Sequence, residues 1–389
     1  MATAFEEPRM FESITNIRLS ITLQPVAGNV VYPPTFAPSE SAPKGTPASH
    51  NWRPDGSVVL DTPQSQANRI EDAIMQAMRA GVLAYPDIRL EIPGEGTISV
   101  LELSHRAYDA TLFHGLDANG TAFRHTAAGQ ALINATPTNA TAVFEHAPIQ
   151  LLVGAWDSHA GRGVLAAKFQ RILTGEIVGL DARPIQRTAT KIDPLDIRRD
   201  AATIYAHTDA SIGWTLDAQH AQRDDRDKPV IRKASETGLG NTPSTTERGA
   251  IISSARHDLV LTATAVRRLR FPDPDTGALD PARDRAGQDA ALAFGLYAIS
   301  LLLDSGYNLR SGCQLVPEDE PQLELIGRTL KQIEHASIAE AHGWFTEAMK
   351  NAAKHGLSWR KEPIVLHASP DLVGVIAKSR ELAGIATED

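Results

Sequence analysis

Leu60-Asp61-Thr62-Pro63-Gln64-Ser65-Gln66-Ala67-Asn68-Arg69-Ile70-Glu71 is the stretch on which the fold turns. Val58-Val59-Leu60, at its leading edge, reads as a short buried strand. Thr62 suits the N-cap of a helix, Pro63 its first position and Gly81 its C-terminal stop. Ile70, Ile74, Ala77 and Met78 then share one face at helical spacing. A strand therefore runs straight into an amphipathic helix whose first turns carry Ser65, Gln66, Asn68 and Arg69. Free amides, the positive end of the helix dipole and polar donors make an anion site there. Arg69 lies one turn beyond Ser65 and Gln66, so the three could meet one bound phosphate. A polar helix start that is merely solvated has the same sequence, and both readings stand.

Upstream, Ile17, Leu19, Ile21 and Leu23 alternate with polar residues, the period of a half-buried strand. Residues 32–57 hold six prolines with Gly45 and Gly56, which predicts a long surface loop. Downstream, the pattern predicts a strand over 149–153, a helix over 164–173 and a strand over 176–180. Residues 220–250 are polar and loop-like, and regular structure resumes over 254–270. Helices are expected over 289–303 and 323–354, with a break at Gly343. Strands and helices with long excursions between them predict an α+β chain with a helical C-terminal part.

The 389 residues carry 38 Lys and Arg against 47 Asp and Glu, a formal net charge of −9. Hydrophobic residues at 42% and charged residues at 22% predict a soluble folded protein and exclude a disordered one. The single cysteine, Cys313, excludes an internal disulfide framework and a Cys-rich zinc module. Residues 1–10 lack the basic-then-apolar order of a signal peptide, and the most apolar run, 290–303, is short for a bilayer span. A cytoplasmic location without membrane contact is the expectation. The charge is unevenly spread, at −7 over 1–160, +5 over 161–272 and −7 over 273–389. A modestly basic middle leaves room for a local groove despite the acidic total.

Few motifs carry chemistry. Trp156-Asp157-Ser158-His159 puts Asp, Ser and His side by side, whereas a catalytic triad converges from separate elements. There is no Gly-x-Ser-x-Gly elbow and no His-Glu-x-x-His. His335 and His342 are expected two turns apart on one helix, too far to share a metal easily. Asp193, Asp196 and Asp200 lack the glycine and closing glutamate of a calcium loop. Gly161-Arg162-Gly163 lacks a third glycine for a dinucleotide site, though its amides could approach a phosphate. Arg267-Arg268-Leu269-Arg270 reads as a snorkelling surface face. No metal site and no cofactor is expected.

Taken in order, the motifs resemble one family, the RAMP-superfamily backbone subunit (the Cas-seven lineage) of type I-G, formerly I-U, CRISPR effector complexes. Leu23-Gln24-Pro25-Val26-Ala27-Gly28 with Pro33-Pro34-Thr35-Phe36 is similar to the family's N-terminal signature. The block quoted at the outset, 60–71, is its most distinctive one, followed by Leu103-Ser104-His105-Arg106-Ala107-Tyr108-Asp109 and Val153-Gly154-Ala155-Trp156-Asp157-Ser158. Lys191-Ile192-Asp193-Pro194-Leu195, Thr237-Gly238-Leu239-Gly240-Asn241 and Leu269-Arg270-Phe271 complete the resemblance, which runs from about residue 18 to 271.

The resemblance implies a ferredoxin-like (RRM-like) core over 14–271, a thumb-like insertion near 220–257, and a helical region over 285–389 packed on the core. It implies a non-catalytic subunit that binds CRISPR RNA and oligomerises head to tail along the guide spacer. The guide is thereby displayed for pairing with a target DNA strand, beside a large subunit and a guide-end-capping subunit, in antiviral defence. Ser65-Gln66 with Arg69 resembles the Ser-Gln-x-x-Lys-Arg helix start that grips the guide backbone in related subunits, with Asn68 standing where those often have Lys. Arg106, Lys168, Arg171, Lys191, Arg232, Lys233 and Arg256 are the further candidates for the groove and thumb. The physics agrees: backbone contacts hold the RNA while base pairing reads the target, which needs a basic groove rather than a basic protein. The alternative is a metal-dependent target-RNA endonuclease acting through Asp157, Asp193 or a thumb aspartate.

Overall fold

Ile17, Leu19, Ile21 and Leu23 are all at most 3% exposed while Ser20 and Thr22 face solvent, as the period-two pattern requires. They belong to β1 (Asn16–Pro25), the middle strand of an antiparallel sheet in the computed structural model. The structure describes residues 11–43, 46, 48–156, 168–188, 192–198, 202–239, 245–246, 249–329 and 333–383. The chain divides into two compact units, Met1–Arg183 with Ala250–Ala368, and Pro184–Gly249 with Ser369–Asp389.

In the first unit, β2 (Val58–Asp61) leads into α1 (Pro63–Arg79). A second, smaller sheet follows, with β3 (Ile88–Ile92) and β4 (Gly96–Ser99) antiparallel. The short helix α2 (Ile149–Val153) precedes β5 (Leu173–Leu180), and β6 (Ser254–Leu261) leads to the long helix α3 (Pro281–Asp304). Next come β7 (Tyr307–Arg310), β8 (Cys313–Pro317), β9 (Gln322–Ile326) and β10 (Ile333–Ser337). Helix α4 (Ala341–Lys354) and strand β11 (Ile364–His367), which pairs β3 in parallel, end the unit. The main sheet runs β7-β8-β1-β6-β5-β2, with β9 also pairing β1 and β10 pairing β9. β1 meets β6 from Ile17 opposite Leu261 to Leu23 opposite Ala255, and β6 meets β5 over its full length.

Both long helices cover the apolar side of this sheet. α1 buries Ala67, Ile70, Ala73, Ile74 and Ala77. α3 lies beside it and approaches β6 so closely that a Cβ on Gly295 would stand 2.9 Å from Leu261 Cδ2. Glycine is needed there for packing, since a methyl group would force the helix away from the sheet. α3 is long and apolar enough, by length and composition, to cross a membrane, yet 72% of its most apolar window is buried inside the protein. Tyr297 stacks on Phe345 of α4 at 5.2 Å between ring centroids, and Trp359 meets Phe294 edge-on at 4.9 Å. A helix apolar all round is here a core helix.

The mixed helix and strand content is that of an α+β fold. Three sequence expectations are corrected. The C-terminal part is not simply helical: the helix expected over 323–354 begins only at Ala341, and Gln322–Ile326 is a strand paired with β1. Leu323 and Leu325 are buried and alternate with their neighbours, but Leu323 and Ile326 also fit helical spacing, so the short run was ambiguous. His335 accordingly lies on β10 and His342 on α4, not on one helix. Residues 149–153 form a helix instead of a strand; of the helix expected over 164–173, residues 164–167 lie outside the described residues, while Lys168–Phe169 and Leu173 are in strands.

The second unit contains a three-stranded sheet in which Ile204–Ala206 pairs both Trp214–Thr215 and Ile231–Arg232. Asp209, Asp217 and Asp224 close its turns by accepting backbone amides two residues on. The excursion thus begins at 184 and ends at 249, whereas the thumb was expected near 220–257. Residues 254–257 are part of β6 in the main sheet, because Ala255 and His257 are buried against it.

Candidate nucleic-acid interface

The start of α1 is built on Asp61. Asp61 ends β2, and Thr62 caps the helix by accepting the Ser65 amide at 3.2 Å, with Pro63 in the first turn. Positions four, five and eight beyond Asp61 all return to its carboxylate. Ser65 Oγ donates to Oδ1 at 2.7 Å, Gln66 Nε2 to Oδ2 at 2.5 Å and Arg69 Nε to Oδ2 at 2.9 Å. Arg310, from the end of β7, places Nη2 3.6 Å from Oδ1. Arg69 Nη2 also donates to the Leu309 carbonyl at 2.8 Å, tying the helix start to the β7–β8 hairpin. β2 and β7 terminate opposite ends of the strand order, so the sheet curls until side chains from both ends meet.

Asp61 is fully buried, and a buried carboxylate persists only with such partners. Two guanidiniums face this one carboxylate, and the first turn of α1 holds no acidic residue. The surplus positive charge resides on Arg69 and Arg310, whose side chains keep 27% and 28% exposure. The helix dipole adds to it. His257, 1% exposed on β6, shares a 3.0 Å hydrogen bond with the Tyr307 hydroxyl. Burial pushes its imidazole down to about 4 against the opposing pull of Asp61, so it adds no charge near neutral pH.

The sequence candidates separate into distinct roles. Arg69 and Asn68 reach the surface at the helix start. Gln66, 1% exposed, is corrected from a direct contact to a buried strut, and the Ser65 hydroxyl is likewise spent on Asp61. Arg106 is corrected from a groove cation to half of an internal ion pair. Its Nε and Nη2 donate to the two Glu71 oxygens at 2.5 and 3.0 Å, with side chains only 14% and 5% exposed. Burial holds the Glu71 carboxyl above the ordinary range, with Arg106 opposing the shift. Arg171 donates to the Val153 carbonyl at 3.1 Å, and burial followed by the charge of Arg106 lowers its pKa. Arg256 lies on β6 and bonds Asp258 at 2.7 Å instead of belonging to an excursion. Arg232 and Lys233 are exposed in the second unit. The Lys168 side chain and Lys191 lie outside the described residues, as do Asp157, Ser158, His159 and residues 161–163.

The outward face of the main sheet is polar and charge-balanced. Arg18 pairs Glu324 at 2.5 Å, Arg53 pairs Glu176 at 2.7 Å, and Ser20 donates to Asp258 at 2.6 Å. No aromatic residue stands on that face of β1, β5 or β6, so it lacks the platform on which RRM sheets stack bases. The Asp193 carboxylate accepts the Leu195 and Ile197 amides at 3.0 and 3.1 Å. Among the described residues no group of three His, Cys, Asp or Glu side chains is placed to hold a metal ion. Arg267 is not a snorkelling residue: its Nη2 donates to the carbonyls of Phe11, Glu12 and Ile14.

Asp61, Glu71 and Arg310 were missed from sequence. For Asp61 the signal was present, a carboxylate just before the cap with Ser, Gln and Arg at the returning positions. Arg310 is 241 residues from Arg69 and carries no local signal.

Residues 17–184, a little under half of the chain, match the family model described as CRISPR-associated protein GSU0053. This span contains β2, α1 and the Asp61 cluster except Arg310 and the Leu309 carbonyl. No curated protein matches. Among solved structures, a chain described as "CRISPR RNA-guided surveillance complex, pre-nicking" aligns with 94% of this chain and 100% of its own length. It does so at 9% identity and a TM-score of 0.33, too low to carry an argument.

Proposed function

We propose that this chain is the guide-RNA-binding backbone subunit of a type I CRISPR surveillance complex, of subtype I-G. The observation that carries the reading is the pair of partly exposed arginine side chains on one buried carboxylate, at a helix start without acidic residues. Arg69 and its carboxylate lie within the span similar to a CRISPR-associated family. Such a site offers a fixed cation at a helix start, which suits contact with an RNA backbone.

The strand order supports a ferredoxin-like core. β1, α1, β5, β6, α3 and β8 follow one another as strand-helix-strand-strand-helix-strand, and the sheet order β8-β1-β6-β5 places the fourth strand beside the first and the third beside the second. On this reading copies stack head to tail along the spacer of a cytoplasmic complex, alongside a large subunit and a guide-end-capping subunit. The guide then pairs with a target DNA strand. The subunit holds RNA without cutting it and uses no cofactor.

The test is coexpression with a CRISPR array and partner subunits, followed by purification. Copurifying RNA of guide length, seen as excess absorbance at 260 nm, is the expected result, and nucleic-acid-free protein would overturn the proposal. In a filter-binding titration Arg69→Ala weakens RNA binding whatever the guide sequence, and the slope of log affinity against log salt becomes shallower by about 0.7. An unchanged affinity and slope removes Arg69 from the site.

A further inference from the structure

The candidate cations drawn from sequence all lie between residues 65 and 256, yet the helix start is closed by a group from residue 310. Arg310 reaches Asp61 from the opposite end of the strand order, and its carbonyl neighbour Leu309 holds Arg69. Three observations bear on what Arg310 does. Asp61 supplies one negative charge to two guanidiniums, so one cation is left over whichever arginine is assigned to the pair. The two arginine side chains keep almost equal exposure, 27% and 28%, beside the same helix start. Finally, Asp61 faces only Arg310 Nη2, at 3.6 Å, while Nη1 is turned inward beside the buried Cys313. A guanidinium carries five N–H donors, and one engaged by a carboxylate through a single nitrogen keeps donors on its exposed part that suit a phosphate oxygen.

Resting on the proposed RNA-binding role, we infer that Arg310 is a second phosphate-contacting cation of the guide-RNA site. The site is therefore composite: one arginine comes from the first helix and one from the C-terminal hairpin, each oriented on Asp61. The ligand class is the phosphodiester backbone of single-stranded RNA. A guanidinium held on one edge by a carboxylate presents its remaining donors in a fixed direction, with less side-chain entropy to lose on binding.

The experiment uses the full-length chain and a fluorescein-labelled single-stranded RNA of mixed sequence, read by anisotropy over a range of KCl concentrations. Wild type, Arg69→Ala, Arg310→Ala, Arg310→Lys, Arg310→Gln and the double Arg69→Ala, Arg310→Ala variant are compared, each with its melting temperature. Each single alanine variant is expected to flatten the salt slope by about 0.7 and to weaken binding roughly fivefold at 0.1 M salt, and the double variant to flatten it by about 1.4. Arg310→Lys keeps the charge and should keep the wild-type slope. If Arg310→Ala lowers the melting temperature but leaves slope and affinity at wild type while Arg69→Ala changes both, Arg310 is a structural clasp only. The inference is then overturned and the RNA site stands. If neither arginine matters, the helix start is not the RNA site and the underlying reading is lost as well. Should Arg310→Ala not fold, the lysine and glutamine variants decide. Gln flattening the slope while Lys preserves it supports the inference, and both at wild type overturn it.

Discussion

Asp61 and His257 show how a single buried group sets behaviour around the helix start. Asp61 is tolerated in the interior because a hydroxyl, an amide and the Arg69 guanidinium donate to it and the Arg310 cation stands 3.6 Å away, and it thereby holds Arg69 in place. His257 is kept neutral by burial at a pKa of about 4, whereas in the unfolded chain it titrates near 6.5. The unfolded state therefore binds more protons across that interval. The stability tied to a neutral His257 is complete above about pH 6.5 and is lost as pH falls towards 4, by about 3 kcal/mol. His146, lowered by burial to about 4 as well, acts in the same sense, while burial of Glu71 acts in the opposite one. His257→Gln keeps a neutral hydrogen-bonding side chain near Tyr307 and is expected to make the fall in melting temperature from pH 7 to pH 4 markedly shallower. An unchanged pH profile would show that His257 is not the titrating group.

At the scale of elements, α1 is anchored twice. Its first turns are fixed by Asp61 and its third by the Glu71–Arg106 pair. The two anchors are alike in kind, each an arginine on a carboxylate, but their burial separates them. Arg69 keeps a solvent-facing edge, whereas Arg106 is enclosed and bidentate on Glu71. Arg106→Ala would leave Glu71 buried and unpaired, at a cost of about 3–5 kcal/mol. The expected outcome is a large fall in melting temperature with the salt slope of RNA binding unchanged, the reverse of Arg69→Ala. Replacing both partners, as Glu71→Gln with Arg106→Met, should recover much of the loss. If the double variant is no more stable than Arg106→Ala, the pair is not what holds this turn.

The whole chain behaves as a sheet unit interrupted by an excursion. The Ile185 amide donates to the Gly249 carbonyl at 3.2 Å, and Arg187–Thr188 pairs Thr245–Thr246, so the excursion leaves and returns at neighbouring points. Replacing residues 189–244 by a short glycine linker is therefore expected to preserve one cooperative melting transition and the near-ultraviolet dichroism of the α3–α4 aromatic cluster. Loss of cooperative unfolding would show that the sheet unit depends on the excursion. The −7, +5, −7 charge distribution takes on a sharper meaning at this scale. Of the basic middle, Arg171 is spent on a backbone carbonyl, Arg256 on Asp258 and Arg267 on the N-terminal carbonyls. Of the two cations at the helix start, one comes from each acidic flank.

Local patterns determined β1, β2 and α1 almost to the residue, because alternation, the Thr62 cap, Pro63 and Gly81 are short-range signals. The anion-site candidate at Arg69 was legible for the same reason. Short apolar runs were not: 149–153 and 322–326 suit either helix or strand until partners are known, and pairing with β1 and β10 decided that Leu323 and Leu325 belong to a sheet. Charge count was equally silent on which arginines are available. Composition lists cations, but whether a guanidinium meets solvent or a buried carboxylate depends on residues far apart in sequence. The sequence by itself thus determined a strand running into a capped helix with a cation on its second turn. Only the tertiary structure decided that Gln66 and Arg106 are internal, that Asp61 is the hub, and that Arg310 joins Arg69. The physical reason is that desolvation and pairing are set by the curl of the sheet, which brings its two ends together around one carboxylate.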